Sequence, residues 1–168
     1  MKIEGKEEMR VEFKSIMHVA FFTDQMDVMI DFYENKLGLK PKIITKAKAY
    51  AERDNKLYGD MAKADPEKII ITYIEIAPGQ FIELFPKFEG QGPHANWNQN
   101  VGYSHYALLV DDIFKTREEL IERGVEMDTD ISKGPSGTYQ MWVHDPDGNK
   151  FEIMQYTKDS YQVVGNIM

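Results

Sequence analysis

The chain has 168 residues, 42% hydrophobic and 29% charged, which suffices for one domain with a real core or for two small modules sharing a sheet. Its net charge of −8 repels nucleic-acid backbones. The absence of cysteine removes disulfides, thiolate metal sites and cysteine nucleophiles, and no run approaches the ~18 apolar residues of a membrane span. The start, MKIEGKEEMR, has no apolar stretch of the signal-peptide kind, so the expectation is a cytoplasmic enzyme or small-ligand binding protein.

Residues 1–13 read as a charged N-terminal arm in which Val11 and Phe13 can pair as an edge strand. A strand follows over 15–22. Thr23 and Asp24 suit a helix start, and Met26, Met29, Ile30, Tyr33 and Leu37 make an apolar stripe at helical spacing that Gly38 ends. A strand over 39–45 precedes a polar stretch, 46–68, whose Ala47, Ala49, Ala51 and Leu57 predict a short helix in a mobile cover. The β-rich runs 69–76 and 80–85 flank Ala77-Pro78-Gly79 and read as a hairpin. Residues 89–101, within a stretch rich in glycine and asparagine, form the linker between module one (14–88) and module two (102–157). Module two predicts a strand over 103–110, a helix over 112–123 with Ile113, Leu120 and Ile121 facing inward, and strands over 125–131, 139–144 and 150–156. Asp145-Pro146-Asp147-Gly148 is the tight turn before the last strand. A C-terminal tail, 158–168, has no derivable placement.

Both halves carry one pattern: a histidine on an early apolar strand, a helix closed by glycine, and a glutamate on a late strand. His18 precedes Gly38 by 20 positions and His105 precedes Gly124 by 19. From His18 to Glu83 is 65 positions, and from His105 to Glu152 is 47, the difference falling on the stretch 46–68. Alternation along each strand sets all four residues among largely apolar neighbours on the same face. Taken singly, His18 reads as a hydrogen-bonded core histidine and Glu83 as a surface residue. The same residue types at equivalent places in two repeats favour a shared divalent-metal site, because a cation relieves the cost of burying two facing carboxylates. His94, in the linker, and His144, before the turn, lie outside the repeat register and are assigned solvated or turn-supporting roles.

The segments IMHVAFF, FYENKLGLKP, FIELF, GYSHYALLVDDI and VHDPDGNKFEIMQY together resemble the vicinal oxygen chelate superfamily (glyoxalase I, bleomycin resistance proteins and extradiol dioxygenases) over roughly residues 14–157. The resemblance implies an α+β fold of two βαβββ modules forming a curved mixed sheet around a metal site. It is closest to glyoxalase I-like metalloenzymes, which implies His18, Glu83, His105 and Glu152 as ligands of one divalent ion, whether Ni, Zn, Co, Mn or Fe. The implied activity is that of a lyase or isomerase moving a proton between adjacent carbons of a hydroxy-carbonyl or hemithioacetal substrate through a metal-stabilised enediolate. Glu152 is the first choice as proton carrier and Glu83 the second, with Phe22, Phe81, Phe85, Lys87, Tyr103, Met154 and Tyr156 lining the substrate pocket. Alternatives are an epimerase or isomerase of a keto-sugar or acyl thioester, an Fe(II) dioxygenase, and a non-catalytic binding or resistance protein. Phe22 and Lys87 stand where glutathione-using relatives carry arginine and asparagine, so glutathione is a doubtful partner. A homodimer is expected from the family, with the site formed within one chain or across two.

Overall fold

A computed structural model describes residues 12–167, so nearly all of the predicted arm, Val11 included, lies outside the described residues. Phe13 is exposed and belongs to no strand.

The first module runs β1 (His18–Thr23), α1 (Met26–Asp31), β2 (Lys40–Lys46), β3 (Ile69–Ala77) and β4 (Gln80–Pro86). The strands order as β1-β4-β3-β2, with β1 parallel to β4 and the other pairs antiparallel. The second module repeats this with β5 (Tyr106–Leu109), α3 (Ile113–Glu122), β6 (Ser132–Lys133), β7 (Tyr139–His144) and β8 (Lys150–Gln155), ordered β5-β8-β7-β6. The α+β fold of two βαβββ modules is thus present, as two four-stranded mixed sheets.

The first helix is shorter than its apolar stripe suggests. After Asp31 the coil widens into a π-helical turn, Phe32–Lys36, and Gly38 adopts the left-handed conformation (φ +74°) that lets Leu39 N–H reach the Tyr33 carbonyl at 3.0 Å. Met29 and Tyr33 are fully buried on its inner side. Asp112 caps α3 by accepting from Phe114 and Lys115 N–H, both at 3.0 Å. Ile113 and Leu120 face inward, but Ile121 is largely exposed, contrary to expectation, because it lies about 100° around the helix from Leu120.

Three boundaries depart from the predicted ones. The first strand begins at His18, although Met17 already accepts from Phe81 N–H at 2.8 Å. The strand after the linker begins only at Tyr106. The predicted strand over 125–131 is absent: a single bridge joins Met127 to Val143, and the paired edge is β6. The Thr129 hydroxyl accepts from Trp142 N–H at 3.0 Å, taking a partner that a regular ladder would use.

Each module has its own core, Phe21, Met29, Tyr33, Ile74, Ile82 and Leu84 in the first and Ile113, Leu120, Val125, Met141, Val143, Phe151 and Ile153 in the second. Phe32, Leu37 and Tyr106 pack against both and join them. The tightest tie is Asp145, almost wholly buried in the turn before β8. It accepts from Tyr33 Oη across the modules (2.8 Å) and from Asp147 N, Asn149 N and Asn149 Nδ2 within the turn. The DPDGN motif is therefore a structural staple.

The stretch 46–68 holds a 3₁₀ turn (Ala47–Tyr50) and α2 (Lys56–Ala64), which Asn55 caps through Tyr58 N–H. It is anchored rather than a free cover: Ala47 and Lys48 N–H bond to Lys68 and Pro66, and Ala47, Ala62 and Ile70 make a small core of their own. The tail ends in a short helix, α4 (Tyr161–Val164), docked where Tyr161 N–H meets the Ser136 carbonyl at 2.8 Å. No helix among the described residues is long and apolar enough to cross a membrane.

Candidate metal centre

Parallel pairing of β1 with β4 sets Ala20 opposite Glu83, and pairing of β5 with β8 sets Ala107 opposite Glu152. The histidine lies two residues before that alanine in both cases, on the same face. An alanine beside each glutamate leaves room for the imidazole to lean along the strand. His18 Nε2 comes within 3.2 Å of Glu83 Oε2, and His105 Nε2 within 3.4 Å of Glu152 Oε2. The carboxylates are the sheltered partners, with side chains 7% and 13% exposed against 37% and 33% for the imidazoles.

A third residue completes each pair. Tyr73 on β3 stands opposite Glu83, and Trp142 on β7 stands opposite Glu152. Each meets its histidine edge to face: His18–Tyr73 at 5.9 Å and 89°, His105–Trp142 at 4.6 Å and 63°. The hydrogen bond to Glu83, together with partial burial and the negative charge of that carboxylate, pushes the Tyr73 phenol up to about 12. Tyr73 is therefore a protonated donor at neutral pH. Both aromatic residues lie ten positions before their glutamate, a signal present in the sequence that the reading of it passed over.

The two pairs stand on separate sheets. Among the described residues no three or more histidine, aspartate or glutamate side chains gather as a metal-binding cluster. The four predicted ligands thus form two half-sets instead of one shell. What they share is a groove of about 680 Å³ between the facing edges β1 and β5, whose lining includes both imidazoles with Ile16, Met17, Tyr103 and Leu109.

The predicted pocket residues divide accordingly. Phe81 and Phe85 share the face of Glu83; Phe81 packs on Tyr73, and Phe22 on Phe85 and Phe88. Tyr58 of the inserted segment extends this aromatic row through Phe88. Met154 shares the face of Glu152, and Tyr103 lines the groove edge-on to Phe21. Lys87 stands apart, 4.0 Å from Asp24, and Tyr156 is largely exposed beyond the end of β8.

Neither extra histidine is merely solvated. His94 Nε2 lies 2.8 Å from Asn149 Oδ1, pinning the linker to the turn. Asp128 bonds His144 Nδ1 with one oxygen and Lys150 Nζ with the other, both at 2.8 Å.

Duplicated βαβββ units, each with a parallel strand pair at one edge of its sheet and a histidine–glutamate couple beside it, define a paired-module α+β scaffold. The chain belongs to the Glyoxalase/Bleomycin resistance protein/Dioxygenase superfamily, whose family model matches residues 15–153. It is 23% identical over 143 residues to a chloroplastic protein of Arabidopsis thaliana named as a probable lactoylglutathione lyase; the match covers 84% of this chain and only 36% of that protein. A lactoylglutathione lyase from Agrobacterium tumefaciens has a similar structure, with a TM-score of 0.56, 20% identity, and coverage of 84% and 92% of the two chains. So has a glyoxalase family protein from Enterococcus faecalis, at 0.63 and 21%, covering 84% and 98%. At these identities the structural likeness concerns the fold.

Proposed function

We propose that this chain is a metal-dependent lyase or isomerase of the glyoxalase I type, acting on a small hydroxy-carbonyl compound or hemithioacetal. The observation that supports it most is the twice-built histidine–glutamate pair, with both imidazoles opening on one groove. The donor set suits the group the family implies: two imidazole nitrogens and two sheltered carboxylates match Ni, Zn, Co, Mn or Fe in the divalent state. His18, Glu83, His105 and Glu152 would hold it, and its charge would stabilise an enediolate.

The residues themselves do the rest. Glu152 is the proton carrier: its Oε takes the proton from one carbon and returns it to the neighbour, with Glu83 the second choice. Tyr73 and Trp142 fix the imidazole planes, while Phe81 and Met154 keep water from the carboxylates.

Bringing both half-sets to one ion requires a second copy of the chain or closure of the groove, and the homodimer is the favoured arrangement. Ile16, Met17, Phe22, Ile43 and Leu109 all stand exposed around the half-sites, an apolar surface of the kind a second copy covers.

The test is metal analysis of the purified protein, light-scattering mass, and a screen of 2-oxoaldehydes with several thiols and of keto-sugars in deuterated water. The expected result is about one divalent ion per chain, a dimer, and metal-dependent deuterium uptake at carbon that Glu152→Gln abolishes. A protein that acquires no divalent ion, or one that exchanges no carbon-bound proton, overturns the reading in favour of a binding protein. Fe(II)-dependent oxygen uptake would replace it with a dioxygenase.

A further inference from the structure

The linker crosses the second sheet beside its histidine–glutamate pair and sets down a tryptophan there. Trp97 lies 5.3 Å from Trp142, and its ring sits over Lys150 Nζ at 5.5 Å; Trp142 in turn abuts His105. Cavities of about 230 and 290 Å³ flank Trp97 and share His94 to Trp97, Gly148 and Lys150, so they form one trough along the linker. From this geometry we infer that the trough is a subsite for a neutral polyhydroxylated chain, and that the substrate of the proposed reaction is sugar-like. The inference deepens the proposed function and rests on it for the word substrate, but the binding stands or falls by itself.

Three observations select that chemistry. The half-exposed indole of Trp97, with Trp142 set against it at 55°, offers a flat apolar plate that packs against the C–H face of a polyol. Around it stand groups of both hydrogen-bonding senses: the amides of Asn96, Asn98 and Asn100 on one side, the imidazole of His144 and the carboxylates of Asp128 and Asp147 on the other. One of these is already calling for a donor. Asp147 Oδ1 accepts from Gln25 Nε2 at 2.6 Å, but Oδ2 is buried with no hydrogen-bond partner. A hydroxyl seated in the trough supplies that donor once the carboxylate turns toward it.

The charges exclude anionic ligands. Lys150 is matched by Asp128 at 2.8 Å, which leaves Asp147 as the uncompensated charge of the trough. A phosphate or a glutathione carboxylate would meet net negative charge. A neutral chain of hydroxyls meets no such repulsion, and it pairs with the donors as well as the acceptors of the asparagine amides, whereas an ammonium ion can only donate.

The chain holds two tryptophans, Trp97 lining the trough and Trp142 packed against Trp97, so intrinsic fluorescence reports on this part of the second sheet. The probes are xylitol, xylulose, xylulose 5-phosphate, S-methylglutathione and butylammonium, titrated into the metal-free protein. Saturable, millimolar changes are expected for xylitol and xylulose, with the phosphate no tighter than its neutral parent. Trp97→Ala, read through Trp142, should weaken xylitol at least tenfold, and Asp147→Asn severalfold, with circular dichroism unchanged. The inference is overturned if neutral polyols give no saturable response, if the phosphate binds tenfold tighter, or if S-methylglutathione or butylammonium alone responds. Because no metal is present, polyol binding without metal-dependent proton exchange in the loaded protein would sink the proposed function and leave the subsite standing.

Discussion

Replacing Asp145 by asparagine isolates the tie between the modules. The carboxylate accepts four hydrogen bonds at 2.8 to 3.1 Å, and burial raises its affinity for a proton even though Asn149 and Tyr33 oppose the shift. In the variant one oxygen still serves Asp147 N and Asn149 N. The new amide nitrogen faces two donors. Tyr33 Oη can turn to accept from it and donate to Tyr106, 3.3 Å away, but Asn149 Nδ2 is left buried without an acceptor. That orphaned donor costs about 1–3 kcal/mol, and the loss of charge assistance in the remaining bonds about 1–2 more. Relief from burying a charge offsets part of this, leaving a net loss of about 2–4 kcal/mol. With a urea slope of about 2 kcal/mol/M, the unfolding midpoint should fall by about 1–2 M. Tyr33→Phe removes the bond to Asp145 and the longer one to Tyr106, leaves Asp145 its three bonds within the turn, and should cost less than Asp145→Asn. A loss below about 1 kcal/mol for Asp145→Asn would refute the view that this motif staples the modules.

Glu83→Gln and Glu152→Gln should each weaken divalent-ion affinity at least tenfold and by similar factors, measured by competition titration. If either leaves a full-affinity ion, the two pairs do not serve one centre. Gly38→Ala forces a side chain into the left-handed region and against the Arg123 guanidinium, and should lower stability by about 1–2 kcal/mol in a denaturant melt; an unchanged midpoint would contradict the turn geometry. Burial pushes the Asp128 carboxyl up, but hydrogen bonds from Lys150 and His144 outweigh it and hold the group below its usual range. A carboxylate lowered by folding stabilises above its unfolded pKa, near 3.9, and that contribution fades as pH falls through the folded value. Asp128→Asn should therefore cost about 1 kcal/mol at neutral pH and flatten the acid limb of stability below about pH 4. Urea midpoints across that range check it, and curves that stay parallel would count against the network.

His18, Glu83, His105 and Glu152 were legible as a repeated couple because histidine, glycine and glutamate recur in one order along a strand–helix–strand pattern. The helices, the hairpin at Pro78-Gly79 and the turn at Pro146-Asp147 were legible for the same reason: periodicity and turn chemistry are local. Tyr73 and Trp142 were not recognised, although both sit ten positions before a glutamate, because a cross-strand neighbour follows from register and not from nearness in the chain. Trp97 was hidden in what reads as linker, and its contacts with Trp142 and Lys150 follow only from the path of that linker over the second sheet.

Alternation along each strand decides which side chains share a face, so the sequence alone determined that each of the four histidine and glutamate side chains stands among largely apolar neighbours on its own strand. It carries no comparable signal for the angle and spacing between two sheets, which depend on how Phe32, Leu37 and Tyr106 pack between the cores and how Asp145 holds Tyr33. Tertiary packing therefore decided that the couples stand as separate half-sets on either side of a groove, leaving their union to closure of that groove or to a second copy.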